Sequence, residues 1–276
     1  MHNEDDTRIF WRECRGLAKR GHHVSLVVPS EQSSRTKEGV HVVSLPMYRR
    51  RLERLLIGPI DAFRAARNLN PDVIHLHDPV LLLWLPLWRF IANVVVFDMH
   101  ENLPAQILTK PWIPRWARRL IFHSTTAFQW WALRRLPTVL AETSYVDAHP
   151  YLRNYQIVLN YPHKPDLDAV RAGPTLETHS IGYLGRVSHA RGVLSVAEAI
   201  DALRRDGREL DFHCMGPVEP AVLTNEVFGR GIKEGWIHIS GHVVPQVGWS
   251  TLKRCIAGVA VLHRTPNAER SYPTKM

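Results

Sequence analysis

The sequence is poor in lysine. Of its 35 basic residues seven are lysine and the rest arginine, so the net charge of +9 is carried mainly by guanidinium groups. Arginine favours planar, bidentate contact with phosphate and carboxylate, and the excess admits nucleic acid, an anionic membrane surface or a phosphorylated substrate as partner. Cysteine is nearly absent. Cys14, Cys214 and Cys255 are odd in number, scattered and without a CxxC pair, which excludes a disulfide framework and predicts reduced thiols in a cytoplasmic compartment. No apolar run reaches the ~18 residues of a membrane span. The nearest approach, residues 80–97, is interrupted by Pro86, Arg89 and Asn93 and predicts a buried helix followed by a strand. The start, MHNEDDTRIF, is acidic and polar, unlike a signal peptide. Low-complexity tracts and internal repeats are lacking, and 45% hydrophobic against 22% charged residues excludes wholesale disorder.

What is present is an alternation of short β-branched runs with segments of helical period. Strands are predicted at residues 23–28, 41–45, 73–77, 94–98, 138–142, 156–159, 179–185, 210–215, 236–240 and 258–263. Several are apolar on both faces, as parallel strands covered by helices are. Residues 7–20 predict a helix with Ile9, Phe10, Cys14, Leu17 and Ala18 on its buried face, ending at Gly21. Residues 191–205 predict another, with Val193, Val196, Ala197, Ile200 and Leu203 facing inward. This order predicts an α/β fold of two Rossmann-like, doubly wound domains facing a cleft. The proline-rich, polar stretch 160–178 has neither period and predicts a linker between a first domain, 1–159, and a second, 179–276.

Three segments carry chemistry. In residues 181–192, IGYLGRVSHARG, a strand delivers Gly185 and Arg186 into a short loop and a helix starts near Arg191 and Gly192. Glycines and a helix N-terminus make an anion site, and two arginines suit a diphosphate; a plain βα turn with surface arginines fits the same spacing. GxxxxGK[ST] and GxGxxG are absent, which counts against an NTPase or a dinucleotide enzyme. His100 stands at the C-terminal end of a predicted parallel strand, where open α/β sheets place ligand groups, although a hydrogen-bonded structural histidine would also fit there. His75, His77 and Asp78 invite a metal reading, but no HExxH or cysteine ligand supports it. Finally, six of nine tryptophans, at 84, 88, 112, 116, 130 and 131, fall within 48 residues. Trp112, Trp116 and Leu120 recur every four residues among Arg115, Arg118, Arg119, Arg134 and Arg135. Such a stripe suits an anionic membrane surface or, equally well, a helix packing its tryptophans into the core.

The runs DTRIFWRECRGLAKRGHHV (6–24), PDVIHLHD (71–78), DMHE (98–101), GYLGR (182–186) with Arg191–Gly192, MGP (215–217), SGHV (240–243) and SYPTKM (271–276) resemble, in order, the retaining nucleotide-sugar-dependent glycosyltransferases of the GT-B architecture, the glycosyl transferases group 1 family. The resemblance implies transfer of a sugar, with retention, from a nucleotide diphosphate sugar to a glycan or lipid-linked acceptor in cell-envelope or capsular glycan assembly. It implies a cytoplasmic enzyme that needs no cofactor and no metal and binds no nucleic acid. On this reading His100 is catalytic, with Asp98 and Glu101 on the acceptor side. Gly185, Arg186, Arg191 and Gly192 hold the donor diphosphate, and Gly216, Ser271, Thr274 and Lys275 belong to the donor sugar and nucleotide loops. An anionic membrane would meet residues 112–135.

The resemblance also has gaps. Arginine stands at 191 where the family more often has lysine. Family members open with a strand that has no counterpart here, and the run at 271–276 stops short of their donor-binding glutamate, whose partner position falls at Arg270 beside Glu269. A chain truncated at both ends is therefore expected. The alternative reading is a non-catalytic, degenerate fragment or binding module derived from such an enzyme.

Overall fold

The computed structural model describes residues 4–109, 113–160 and 179–263. The chain divides into two units, residues 1–160 and 161–276. Of the predicted linker, 161–178 lie outside the described residues.

In the first unit a π-helical turn, Ile9–Cys14, leads into α1 (Arg15–Ala18), and then come β1 (Val24–Pro29), β2 (Arg35–Lys37), β3 (Val40–Leu45) and α2 (Arg51–Leu69). At the start of α2 the Arg50 N–H donates to the Glu53 carboxylate at 3.2 Å, half of a capping box. It ends at Asn70, left-handed at φ +47°, just before Pro71, which cannot continue a helix. β4 (Val73–Leu76) follows, then a 3₁₀ segment, Pro79–Trp84, whose first turn is capped by the Asp78 carboxylate accepting from the Val80 N–H at 3.0 Å. α3 (Leu85–Ile91), β5 (Val94–Met99), α4 (Leu103–Thr109), α5 (Arg115–Leu133), β6 (Thr138–Leu140), α6 (Ser144–Ala148) and β7 (Tyr155–Ile157) complete the unit.

Its strands form two sheets. One has the order β1-β3-β2, with β3 parallel to β1 and antiparallel to β2; the other, β4-β5-β6-β7, is parallel throughout. Ile9, Phe10, Cys14, Val28, Val40 and Val42 make a small core against the first sheet. The larger core, against the second, contains Leu82, Trp88, Phe97, Leu133 and Leu140. The indole N–H of Trp88 is satisfied by the Leu81 carbonyl at 2.9 Å.

In the second unit β8 (His179–Leu184) leads through a 3₁₀ turn, His189–Arg191, into α7 (Val193–Arg205). β9 (Leu210–Met215), α8 (Pro220–Leu223), α9 (Glu226–Glu234), β10 (Ile237–Gly241), α10 (Pro245–Arg254) and β11 (Ala257–Gly258) follow. The sheet order is β10-β9-β8-β11, all parallel. α9 is capped at its start by Asn225, which accepts from the Phe228 N–H at 3.1 Å, and stops at left-handed Gly235. Both units are thus parallel-sheet, Rossmann-like α/β assemblies, as the alternation of periods predicts.

Several local expectations are corrected. The predicted helix at 7–20 opens as a π turn, with Trp11 bonding back to Asp6 and Glu13 to Arg8. The wider turn breaks the 3.6-residue period, and Leu17, expected inside, is exposed. Leu203, at the end of α7, is exposed as well, and the helix begins at Val193 rather than Arg191. The strand expected at 258–263 is only Ala257–Gly258. After Val259 the chain leaves the ladder, and the His263 N–H bonds to the Ala190 carbonyl at 3.1 Å. β2, three residues at a sheet edge, was not predicted; Arg-Thr-Lys carries no apolar alternation to betray it.

Of the six clustered tryptophans Trp88, on α3, is buried and Trp84 is partly buried against the larger core. Trp116, Trp130 and Trp131 are exposed, and Trp112 lies outside the described residues. No helix among the described residues is long and apolar enough to cross a membrane.

The two faces of α5 give a direct test. Leu133→Ala should cost about 2–5 kcal/mol in urea denaturation, because it opens a cavity in the larger core. Leu120→Ala, on the outward face, should stay within about 0.5 kcal/mol. Equal losses would show that the helix is rotated.

Candidate functional site

β5 carries Asp98 to its C-terminal end with no solvent exposure, among Phe97, Met99 and the larger core. A buried carboxylate needs compensation, and here it is complete. Arg8 donates from Nη2 to Oδ1 at 2.5 Å and from Nε to Oδ2 at 2.8 Å. His100 Nδ1 lies 3.0 Å and His77 Nδ1 3.3 Å from Oδ2, both placed to donate. Burial alone would raise the Asp98 pKa, but the hydrogen bonds from Arg8, His100 and His77 hold it far below the usual carboxylate range. Arg8 in turn lies just before the π turn, and its Nη1 reaches the Val158 carbonyl beyond β7 at 3.4 Å. The next turn repeats the device, Arg12 donating to the Asn160 carbonyl at 3.0 Å.

The protonation states follow from these surroundings. Burial works against a charged His100, yet the hydrogen bond and charge of Asp98 outweigh it and raise the pKa, favouring imidazolium. With Nδ1 on the Asp98 carboxylate, the orientation of the ring is fixed. His75, beside His77, is pushed down to about 4 by burial and by its neighbour, so it is neutral. Glu13, on the π turn, sits 3.7 Å from His77 Nε2 and 3.8 Å from His75 Nδ1. Burial first, then the charge of Asp98, lifts it to about 7 against the pull of Arg8 and His100. The cluster therefore holds one carboxylate ionised and the other about half protonated near neutrality. Such a split is what proton-handling sites require.

Of the residues expected on the acceptor side, Asp98 and His100 come together, while Glu101 follows them on the surface. Arg8 and Glu13 were missed. The signal for them is two ionisable residues interrupting the apolar face of the first helical segment, Arg8 before Ile9–Phe10 and Glu13 before Cys14.

In the second unit the expected donor residues lie at the C-terminal ends of β8 and β9. Gly185 and Gly216 follow these adjacent strands with φ of +146° and +145°, a region that disfavours any side chain. A Cβ on Gly216 would collide with the Gly185 carbonyl, and the Gly185 N–H donates to the Met215 carbonyl at 2.7 Å. The two loops run on side by side, with the Val187 N–H on the Pro217 carbonyl and the Glu219 N–H on the Val187 carbonyl, each at 2.9 Å. Arg186 is exposed, 4.0 Å from the Glu219 carboxylate; its own carbonyl accepts from the Tyr183 hydroxyl at 2.9 Å. Arg191 is exposed on the turn before α7, and Gly192 caps the N-terminus of that 13-residue helix. Gly185, Arg186, Arg191, Gly192 and Gly216 thus share one end of the sheet. Ser271, Thr274 and Lys275, with Glu269 and Arg270, lie outside the described residues.

Among the described residues three groups approach closely enough to share a cation: Glu13–His75–His77, His77–Asp98–His100 and Asp211–His213–His238. In the first two Arg8 already supplies the positive charge. It occupies both oxygens of Asp98 and lies 3.0 Å from Glu13 Oε1. In the third, His238 sits 3.3 Å from Asp211, and His213 stacks on His238 at 4.5 Å. A concavity on the α7–α9 side of the second unit is lined by Asp201, Arg204, Arg205, Arg230, Glu234 and Trp236. Its Asp201 is paired with Arg205 and Arg230, so its charges satisfy one another.

Residues 7–149, about half of the chain, match the family described as Glycosyltransferase Family 4. No curated protein matches. Among solved structures, the sucrose-phosphate synthase of Thermosynechococcus elongatus is similar at a TM-score of 0.64 and 12% identity, over 92% of this chain and 69% of that one. WaaG, a glycosyltransferase involved in lipopolysaccharide biosynthesis, gives 0.58 and 12%, over 93% and 71%. Anabaena HepE, in complex with UDP and glucose, gives 0.50 and 14%, over 81% and 61%. At these identities the likeness is one of fold.

The Glu13 environment predicts a pH dependence. Its folded pKa, about 7, lies above the ordinary 4.5, so its contribution to stability is full below pH 4.5 and is lost as pH rises through 7. Glu13→Gln should remove that decline, gaining a few kcal/mol on the wild type between pH 5 and pH 8 in urea titrations. Parallel pH profiles would show that Glu13 titrates normally.

Proposed function

The chain belongs to Glycosyltransferase Family 4, and we propose that it moves a sugar from a nucleotide diphosphate sugar to a glycan or lipid-linked acceptor, with retention of anomeric configuration. The reading rests above all on the paired loops at Gly185 and Gly216. Two adjacent parallel strands end in glycines that let their loops run in contact, beside the N-terminus of α7 and two exposed arginines. Backbone N–H groups, a helix dipole and guanidinium groups at one sheet end make an anion site. The structurally similar Anabaena HepE, in complex with UDP and glucose, supports a nucleotide sugar as donor.

In the transfer, the bond between the anomeric carbon and the diphosphate oxygen breaks and its electron pair leaves with the diphosphate. Arg186 and Arg191 neutralise the charge that develops, beside the N-terminus of α7. The acceptor hydroxyl bonds to the anomeric carbon on the face the diphosphate left, and its proton passes to the departing diphosphate oxygen. On the acceptor side His100, oriented by Asp98, polarises the groups bound there, with Glu101 next to it in the chain. Ser271, Thr274 and Lys275 would complete the donor site together with Gly216. No metal is needed for these roles, because arginine carries the countercharge. The setting we propose is cytoplasmic assembly of cell-envelope or capsular glycans, with no nucleic acid involved.

Two substitutions separate the parts of this reading. Arg186→Ala should weaken UDP or GDP binding by about 1.5–3 kcal/mol, the worth of a charged hydrogen bond, in calorimetric titration. His100→Ala should leave that affinity unchanged while lowering release of nucleotide diphosphate from a panel of sugar donors by about 10²-fold or more. Wild-type binding unaltered by Arg186→Ala would remove the diphosphate site from this loop. Unaltered turnover in His100→Ala would remove the histidine from the chemistry.

A further inference from the structure

α5 has two apolar faces. Ala117, Gln129, Ala132 and Leu133 are buried, and the last two join the larger core of the first unit. On the opposite side Trp116, Leu120, His123, Ala127 and Trp130 recur at spacings of four, three, four and three, which is one stripe along a helix. That stripe is open: Trp116 is 81% exposed, Leu120 65%, Trp130 48% and the adjoining Trp131 53%. A side chain as costly to expose as tryptophan, repeated along one face, marks an interaction surface. Its charge is of one sign. Between residues 102 and 141 there are six basic residues and no acidic one. Arg115, Arg119 and Arg135 are exposed beside the stripe, and Arg134 lies over the Trp130 ring at 4.6 Å.

We propose that the outward face of α5 docks on an anionic lipid surface. The helix lies flat, with its tryptophans at headgroup depth and its arginines on lipid phosphates. Nineteen residues give it a length of about 28 Å, enough for both ends to engage. A second copy of the chain is a poorer occupant. A two-fold contact through this stripe would set Arg115, Arg119 and Arg135 against their own counterparts, with no carboxylate in the segment to pair them. An anionic bilayer satisfies every one of these arginines and takes the rings as well. The inference goes beyond sugar transfer and does not depend on it.

The test is co-sedimentation with vesicles of phosphatidylcholine alone and of phosphatidylcholine mixed with phosphatidylglycerol, at low and high salt. Wild-type protein should pellet with the anionic vesicles at low salt and only weakly with the neutral ones. Arg115→Gln with Arg119→Gln should lower partitioning about fivefold per arginine, the equivalent of about 1 kcal/mol each near an anionic surface. Trp116→Ala with Trp130→Ala should abolish the binding that persists at high salt. All four side chains point outward, so both double variants should keep the wild-type melting temperature; if one does not, the other still decides. Three results would overturn the proposal. One is equal recovery of the wild type with both vesicle types at low salt. Another is folded variants that pellet like the wild type. The third is a wild-type dimer in sedimentation velocity that the tryptophan variant dissociates.

Discussion

The buried pair of Arg8 and Asp98 ties the first unit together. Taking both ions out of water costs several kcal/mol each, and their attraction offsets this only with good geometry and every remaining lone pair used. Both conditions are met: the guanidinium meets both carboxylate oxygens, and His77 and His100 take the rest of Oδ2. The consequence is long-range. Arg8 belongs to the N-terminal segment that packs on the sheet of β1, β2 and β3, whereas Asp98 belongs to β5 in the other sheet. No strand pairing joins the two sheets among the described residues. The ion pair, with Arg8 on the Val158 carbonyl and Arg12 on the Asn160 carbonyl, links them through side chains instead.

The same pair sets the chemistry. Asp98 could not remain ionised in the core without Arg8, and His100 could not remain charged without Asp98. The order of dependence runs from the fold to the histidine: Arg8 holds the carboxylate, and the carboxylate holds the imidazole by Nδ1. In the second unit the logic is reversed. There the important atoms are in the backbone, and the side chains that matter are missing ones. Gly185 and Gly216 let two loops run in mutual contact at the ends of β8 and β9, and any Cβ on Gly216 would force them apart. Charge in that region lies on exposed arginines that can move to a ligand, rather than on a buried pair that cannot.

Much of the fold was legible in the sequence, because parallel strands covered by helices are written as β-branched runs, as at Val94–Met99. What was not legible had no period to show. β2 is charged and three residues long, the π turn departs from the period that finds helices, and the last strand dissolves because His263 is drawn to Ala190. Local sequence could flag His100 at a strand end, but not Arg8, 90 residues from the Asp98 it pairs with, since nothing near Arg8 says which carboxylate it will meet. Glu13 was hidden for the same reason. The tryptophans of α5 defeated the sequence differently. With apolar residues on both sides of the helix, composition cannot say which side faces in; only packing against β4, β5 and β6 decides it.

The charge states around Asp98 add a last step. Arg8 is positive and Asp98 negative, and the net charge of the group falls by one as Glu13 ionises near pH 7. A more positive, partly desolvated cluster attracts negative charge more strongly than the same groups would in water. Stabilisation of an anionic group at His100 should therefore weaken as Glu13 loses its proton, even though Glu13 bonds to neither Asp98 nor His100. The carboxylate that is spare for folding becomes the one that sets the pH range over which the histidine is most effective, and its position on a π turn, rather than a regular helix, is what brings it within 4 Å of two histidines.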